Sequence, residues 1–179
     1  MRFSRLEQLV GPLIVDSLSH KTVLIVGLGG VGGSAAESIA RSGFGSIILV
    51  DQDTVEESNI NRQIVALDST LHQPKVDVMK ARIRDINPDC TVITHHLFYN
   101  DETKPIIWDH PIDYMIDCID TITYKMDLIQ EAMNRHIPFI SVMGTGNKYH
   151  PEQLVITPLS KTEYDPIARV IRRKLRGTH

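Results

Sequence analysis

Aliphatic residues fall along the chain in short blocks divided by amphipathic stretches. Val23 to Val26 and Ile47 to Val50 are unbroken apolar runs, the pattern of strands buried on both faces. The same reading predicts strands over Thr91 to Thr94, Tyr114 to Ile119 and Pro138 to Val142, and a sixth over Gln153 to Thr157. Val76, Met79, Ile83 and Ile86 recur at helical spacing. They predict a helix from Gln73-Pro74, with Pro74 at its first position, to Ile86, where Asn87-Pro88-Asp89 stops it. Further helices are expected from Gly30 to Ser42, Asp101 to Ile107, Thr121 to Arg135, and Asp165-Pro166 to Arg176. Ahead of the first strand, Ser4-Arg5-Leu6-Glu7 has capping-box spacing, and Pro12 opens a second short helix through Leu18. Residues 52–73 are polar and irregular, with a helical turn expected over Asn59 to Gln63. The alternation predicts an α/β fold: a Rossmann-like, doubly wound, mainly parallel sheet with helices on both faces. Strands one and four should flank the switch in sheet order.

The first strand runs into Gly27-Leu28-Gly29-Gly30-Val31-Gly32, and the second ends at Asp51. Strand, glycine loop, helix, strand and acid make a nucleotide-binding βαβ unit. Gly27 permits a tight turn, Gly29 lets backbone approach a phosphate, and Gly32 lets helix and strand pack closely. Free N–H groups of Gly30 and its neighbours at the helix start face the phosphates. The Asp51 carboxylate can accept hydrogen bonds from ribose hydroxyls.

Composition narrows the class only slightly. The 179 residues, 42% hydrophobic and 23% charged, with a net charge of −3, suit a soluble globular domain without a global pull toward nucleic acid or anionic membrane. No apolar run is long enough to span a membrane, and the start lacks a signal-peptide core. Cys90 and Cys118 are too few and too far apart for a disulfide scaffold or a CxxC zinc site, and fit a reducing, cytoplasmic setting.

Four features go beyond a plain dinucleotide fold. Asn59, Arg62, Gln63 and Lys75 follow Asp51 closely enough for the polar loop, which also holds Asp53, to carry them back over the glycine loop. Two cations there suit a triphosphate, offsetting charge on its outer groups and on departing pyrophosphate. Solvated surface charge is the alternative, less comfortable for Lys75 beside a helix N-terminus. Asp117 and Asp120 flank the end of strand four. Asp120 either holds Mg²⁺ against the phosphates or caps the next helix, while Asp117 reads as structural. Arg2 and Arg5 are either arginine fingers for a neighbouring subunit or solvent-facing charges. Arg169, Arg172, Arg173, Lys174 and Arg176 crowd the last helix opposite Ile167, Val170, Ile171 and Leu175; they grip RNA phosphates or form a solvated face. Cys118 reads as a packed side chain rather than a nucleophile, and no P-loop or Ser-nucleophile elbow is present.

GLGGVG, LVDQDTVEESNINRQ, PKVDVMKARIRDINP and IDCIDT together resemble the ThiF-type adenylating superfamily, which includes ubiquitin-activating-like enzymes. RFSR, NRQIVAL, KARIRDINPDC, MGTGNK and SKTEYDPIARVIRRKLR are similar in particular to tRNA threonylcarbamoyladenosine dehydratases. The resemblance implies an ATP-binding Rossmann-like domain over residues 21–179 behind an N-terminal helical segment over residues 1–20. It implies ATP on the loop from Gly27 to Gly32, with Asp51 on the ribose and Asn59, Arg62 and Lys75 on the phosphates; Asp53 and Gln63 join the same site. It implies Mg²⁺ at Asp120, and a homodimer across which Arg5 reaches. The implied reaction adenylates the threonyl carboxylate of threonylcarbamoyladenosine in tRNA, after which the carbamoyl nitrogen closes onto that carbonyl and expels AMP. A cysteine desulfurase or sulfur-acceptor system is an expected partner. Members of this family continue past the KLR stretch into a C-terminal segment with a substrate-covering loop, which this sequence is expected to lack. Two other readings share the glycine loop: an enzyme that adenylates the C-terminal glycine of a small sulfur-carrier protein, and a non-catalytic nucleotide- or NAD-binding module.

Overall fold

The computed structural model describes residues 2–146 and 148–175. Five strands, β1 (Thr22–Val26), β2 (Ser46–Val50), β3 (Thr91–His95), β4 (Tyr114–Asp117) and β5 (Phe139–Ser141), pair in parallel in the order β3-β2-β1-β4-β5. The chain winds outward from β1 to β3, then returns to place β4 on the other side of β1. The switch therefore lies between β1 and β4, as expected.

Alternation along the strands feeds two cores. Val23, Ile25, Ile47 and Leu49 point to one face, where α3 (Gly30–Arg41) and α4 (Lys75–Ile86) deliver Ala36, Ala40, Val76, Met79 and Ile83. Leu24, Val26, Ile48 and Val50 point to the other, against Ile107 and Trp108 of α5 (Lys104–Trp108) and Leu128 and Ala132 of α6 (Ile122–Asn134). A sheet covered on both sides needs apolar side chains at every strand position, which explains the unbroken runs. Glu37 of α3 pairs with Arg82 of α4 and, at 2.7 Å, with Arg41, tying the two helices together.

The ends of elements depart from the sequence pattern in instructive ways. Helix α1 (Ser4–Val10) forms, but Phe3 is its N-cap and Ser4 already lies inside, so no capping box is made. Helix α2 (Pro12–Leu18) starts at its proline. Pro74 is the N-cap of α4 rather than its first residue, held extended by a bridge to Thr54. Helix α5 begins late because the Asn100 side chain accepts the N–H groups of Glu102 and Thr103, turning residues 100–103 first. The sixth strand is not formed. Pro151–Gln153 is a single 3-10 turn, and Leu154, Val155 and Ile156 run on exposed without a strand partner among the described residues. Three consecutive apolar residues supply strand propensity, but without a neighbour there is no ladder to join. Helix α7 (Pro166–Leu175) starts as expected, with Asp165 Oδ1 accepting the Ala168 N–H at 2.7 Å. Asn147 and Arg176 lie outside the described residues.

Candidate functional site

The carboxyl ends of β1, β2 and β4 open onto a cleft of about 760 Å³. Its floor is the glycine loop. Gly27 takes a φ of +91°, a left-handed conformation that side chains resist, and donates its N–H to the Val50 carbonyl at 2.8 Å. A Cβ on Gly32 would collide with the Gly27 carbonyl oxygen, so this glycine sets the approach of helix to strand. Gly29, the N-cap of α3, has open space where a Cβ would sit; the nearest atom is Gln63 Nε2 at 4.0 Å. Gly29, Gly30 and Val31 present the start of α3 to the cleft.

Asp51 staples this floor in place. One carboxylate oxygen accepts the Leu28 N–H at 2.6 Å and the other accepts the Asp53 N–H at 2.7 Å. Burial raises the Asp51 carboxyl above its ordinary value against the pull of those two donors and of Lys75.

The loop after β2 brings the expected polar group over the helix start. A Cβ on Gly30 would lie 3.2 Å from the Arg62 carbonyl, so Arg62 sits directly above the first helical residue. Its guanidinium is exposed and held locally, Nη1 donating to Ser58 O at 2.9 Å and Asn61 Oδ1 at 2.8 Å. Asn59 is buried in the turn, its Oδ1 accepting the Glu56 N–H at 3.2 Å. Gln63 is also buried and lines the cleft, and its Oε1 has no hydrogen-bond donor among the described residues. Such an orphaned acceptor on a cleft wall suits a donor brought by a ligand. Lys75 does not reach the cleft surface. It is 4% exposed and gives its ammonium to Asp53 Oδ2 at 2.8 Å, and Asp53 is the member of the pair that lines the cleft.

Asp120 and Asp117 divide their roles. Asp120 lies exposed at the cleft edge, with no hydrogen bond or ion pair among the described residues. Thr121, not Asp120, is the N-cap of α6, and no side chain caps that helix. Mg²⁺ is commonly held by one or two carboxylates with substrate phosphates and water completing its shell. A lone, free Asp120 fits that use, and no group of three ligand side chains exists among the described residues to compete with it. Asp117 is fully buried beneath the cleft, accepting from Lys125 Nζ at 2.8 Å and Ser141 Oγ at 2.5 Å. Lys125 also donates to the Val142 carbonyl at 2.9 Å, which anchors the loop through Gly146 that forms the opposite wall. Sequence reasoning placed Asp117 as structural but missed its partner. The signal was available: Lys125 falls in one helical stripe with Leu128, Ile129 and Ala132.

Arg5 is exposed on α1, bonded to Gln8 at 3.3 Å, and does not line this chain's cleft. Arg2 donates to the Ile86 carbonyl at 2.7 Å, closing the end of α4. Burial pushes the thiol of Cys118, on the cleft wall, up to about 12 and that of Cys90 up to about 11, so neither is a ready nucleophile.

The assembled cleft combines a helix N-terminus, an overlying arginine and a free carboxylate at the switch point. Residues 3–165 match the model of the ThiF family. The tRNA threonylcarbamoyladenosine dehydratase of Bacillus subtilis is 52% identical over 98% of this chain and 69% of its own length. The Escherichia coli tRNA N6-threonylcarbamoyladenosine dehydratase, solved in complex with ATP, superposes with a TM-score of 0.94 at 36% identity, over 98% of this chain and 72% of that one. A further structure of it holds AMP. The molybdopterin-synthase adenylyltransferase of Haemophilus influenzae is more distant, 34% identical over 70% of this chain and 51% of its own length. The chain belongs to the ThiF family, on the branch of its tRNA threonylcarbamoyladenosine dehydratases.

Proposed function

We propose that this protein is an ATP-dependent tRNA threonylcarbamoyladenosine dehydratase. The reading is carried by one observation: Arg62, whose backbone packs on Gly30, lines the same cleft as the start of α3, so the cleft offers a phosphate both a helix N-terminus and an arginine. Nucleotide phosphates bind there, on the free N–H groups of the first helical turn, with the adenosine ribose at Asp51. Asn59 and Gln63 complete the wall. The buried Lys75 turns from Asp53 to a phosphate as the nucleotide enters. Asp120 is the residue that would hold Mg²⁺, whose chemistry is to offset phosphate charge.

The substrate carboxylate attacks the α-phosphorus, and pyrophosphate departs with the bonding electron pair. The chain's part is to align the two and neutralise the charge released, through Arg62 and Lys75. The carbamoyl nitrogen then bonds to the activated carbonyl and gives up its proton, while AMP leaves with the former carboxylate oxygen. The net change in the nucleoside is loss of one water. Ring closure is intramolecular, so no protein nucleophile is needed, which accords with the high thiol pKa of Cys118. A cysteine desulfurase or sulfur-acceptor partner would bring its own thiol chemistry. A cytoplasmic homodimer, with Arg5 directed at the neighbouring cleft, completes the reading.

The test is incubation of the chain with ATP, Mg²⁺ and tRNA bearing threonylcarbamoyladenosine, followed by mass spectrometry of the nucleosides. Loss of one water that requires ATP is the expected result. Pyrophosphate exchange dependent on a carrier protein, with no change in the tRNA, would instead favour adenylation of a carrier glycine.

A further inference from the structure

Charge is distributed very unevenly along this chain. Residues 148–179 hold seven Lys and Arg against three Asp and Glu, a net of +4, whereas residues 1–147 hold 12 against 19, a net of −7. An acidic body with one basic segment is the footprint of a localised nucleic-acid contact.

The structure adds where the cations point. Helix α7 buries Ala168 and Ile171, and Arg172 turns inward to the Thr162 carbonyl at 2.7 Å and the Leu159 carbonyl at 3.3 Å. This pins the preceding segment to the helix. Arg169, Arg173 and Lys174 are left exposed, as are Lys148 and Lys161. Two tyrosines stand among them, Tyr149 at 90% and Tyr164 at 91% exposure. Side chains next to them in the chain are linked: Lys148 Nζ lies 4.0 Å from Asp165 Oδ2, which places the two tyrosines on segments joined by an ion pair. Tyr164 also holds a φ of 57°, a left-handed conformation unfavourable for an aromatic residue. Such a conformation costs free energy, and it occurs at a residue whose ring is exposed to water.

The platform adjoins the cleft. A Cβ on Gly144, in the cleft wall, would meet Asp165 Oδ2 at 2.6 Å, and Ile167 of α7 lines the cleft itself. A polymer lying on α7 can therefore pass one of its units into the cleft.

We propose that Tyr149, Tyr164 and the exposed cations Lys148, Lys161, Arg169, Arg173 and Lys174 form a docking platform for single-stranded RNA, a loop whose bases stack on the two rings while the cations follow its backbone. Exposed aromatics interleaved with cations match single-stranded RNA better than a duplex, whose bases are already stacked. The inference rests on the tRNA reading above and assigns that substrate to a particular surface.

The test is fluorescence anisotropy with a labelled RNA hairpin and a blunt duplex of the same length, across a salt series, with calorimetric ATP binding measured on every variant. Tyr149→Ala and Tyr164→Ala should each weaken hairpin binding roughly five- to tenfold and leave duplex binding and ATP affinity unchanged. Replacing Arg169, Arg173 and Lys174 together with Gln should lower the slope of log affinity against log salt by about two. Unaltered hairpin affinity in all variants, with the parent chain binding well, would overturn the platform and leave the tRNA reading standing. Failure of the parent chain to bind either RNA while binding ATP would overturn both. A change of oligomeric state in the tyrosine variants, seen by sedimentation with RNA affinity intact, would assign the surface to a second copy and overturn the platform.

Discussion

Lys75 Nζ lies 2.8 Å from Asp53 Oδ2, with its own side chain 5% exposed and that of Asp53 55% exposed. A buried cation thus has its counterion on the wall of the cleft that the proposal gives to ATP. A phosphate entering that corner competes with Asp53 for Lys75. Asp53→Asn removes the competitor and leaves the ammonium under-compensated, which lowers the stability of the free protein. It also makes ATP worth more to the fold. The expected result in thermal denaturation is a lower midpoint without nucleotide and an ATP-induced rise about 2–4 °C larger than in the parent chain. Equal rises would make the pair purely structural.

Loss of the cations themselves should separate activity from stability. Lys75→Ala and Arg62→Ala are expected to slow ATP turnover roughly a hundredfold or more, the scale for removing one group that stabilises developing charge. Arg62 is exposed, so its variant should keep the parent melting temperature. Steady-state kinetics beside a melting curve decide the point; a stability loss without a rate loss would count against phosphate contact.

With Asp51 at the ribose, as proposed, ligand binding is expected to depend on pH. Its carboxyl is raised by burial, so on acidification it takes up a proton at a pH above the ordinary aspartate value. The protonated form cannot accept from both ribose hydroxyls as the anion does. Affinity should therefore fall as pH drops through that raised value and hold steady above it. Adenosine is the suitable probe in calorimetry, because it lacks titrating phosphates. The sign for folding is opposite: with the native pKa raised, the native state binds more protons than the unfolded one between the two values, and stability falls as pH rises through that window. Asp51→Asn, with one acceptor for two backbone donors, should bind more weakly and show no acid limb.

The Lys125–Asp117 pair is fully buried on both sides and ties β4, β5 and the Val142 carbonyl together. Lys125→Met should cost about 3–5 kcal/mol in chemical denaturation, because it strands a buried carboxylate. Adding Asp117→Leu should recover a large part of that, while the cleft wall from Val142 to Gly146 loses its anchor. The double variant is thus expected to fold and to bind ATP less well than the parent. Additive losses from the two substitutions would show that the residues do not act as a pair.

β1 and β2, buried on both faces, were legible as unbroken apolar runs, and β3, β4 and β5 as runs of strand-forming residues between turn signals. The glycine loop was legible because Gly27 and Gly32 answer to steric demands that few other residues meet. Asn59, Arg62 and Gln63 were placed beside the loop correctly, since a polar connection leaving β2 has little choice but to cross the sheet's carboxyl edge. What stayed hidden depends on contacts between distant segments. Nothing local in Lys75 reveals that it is buried behind Asp53, and nothing in Leu154-Val155-Ile156 reveals that it joins none of the described strands. The short helix at residues 104–108 started late because the Asn100 side chain competes for the first N–H groups, a choice that propensity does not rank.

Calorimetric titration of the chain with ATP and Mg²⁺, set beside the same titration with NAD, addresses the central claim most directly. Saturable ATP binding that is lost in Lys75→Ala and Arg62→Ala, with little NAD binding, is the predicted result. Tight NAD binding with ATP excluded, or ATP binding indifferent to both substitutions, would contradict the account.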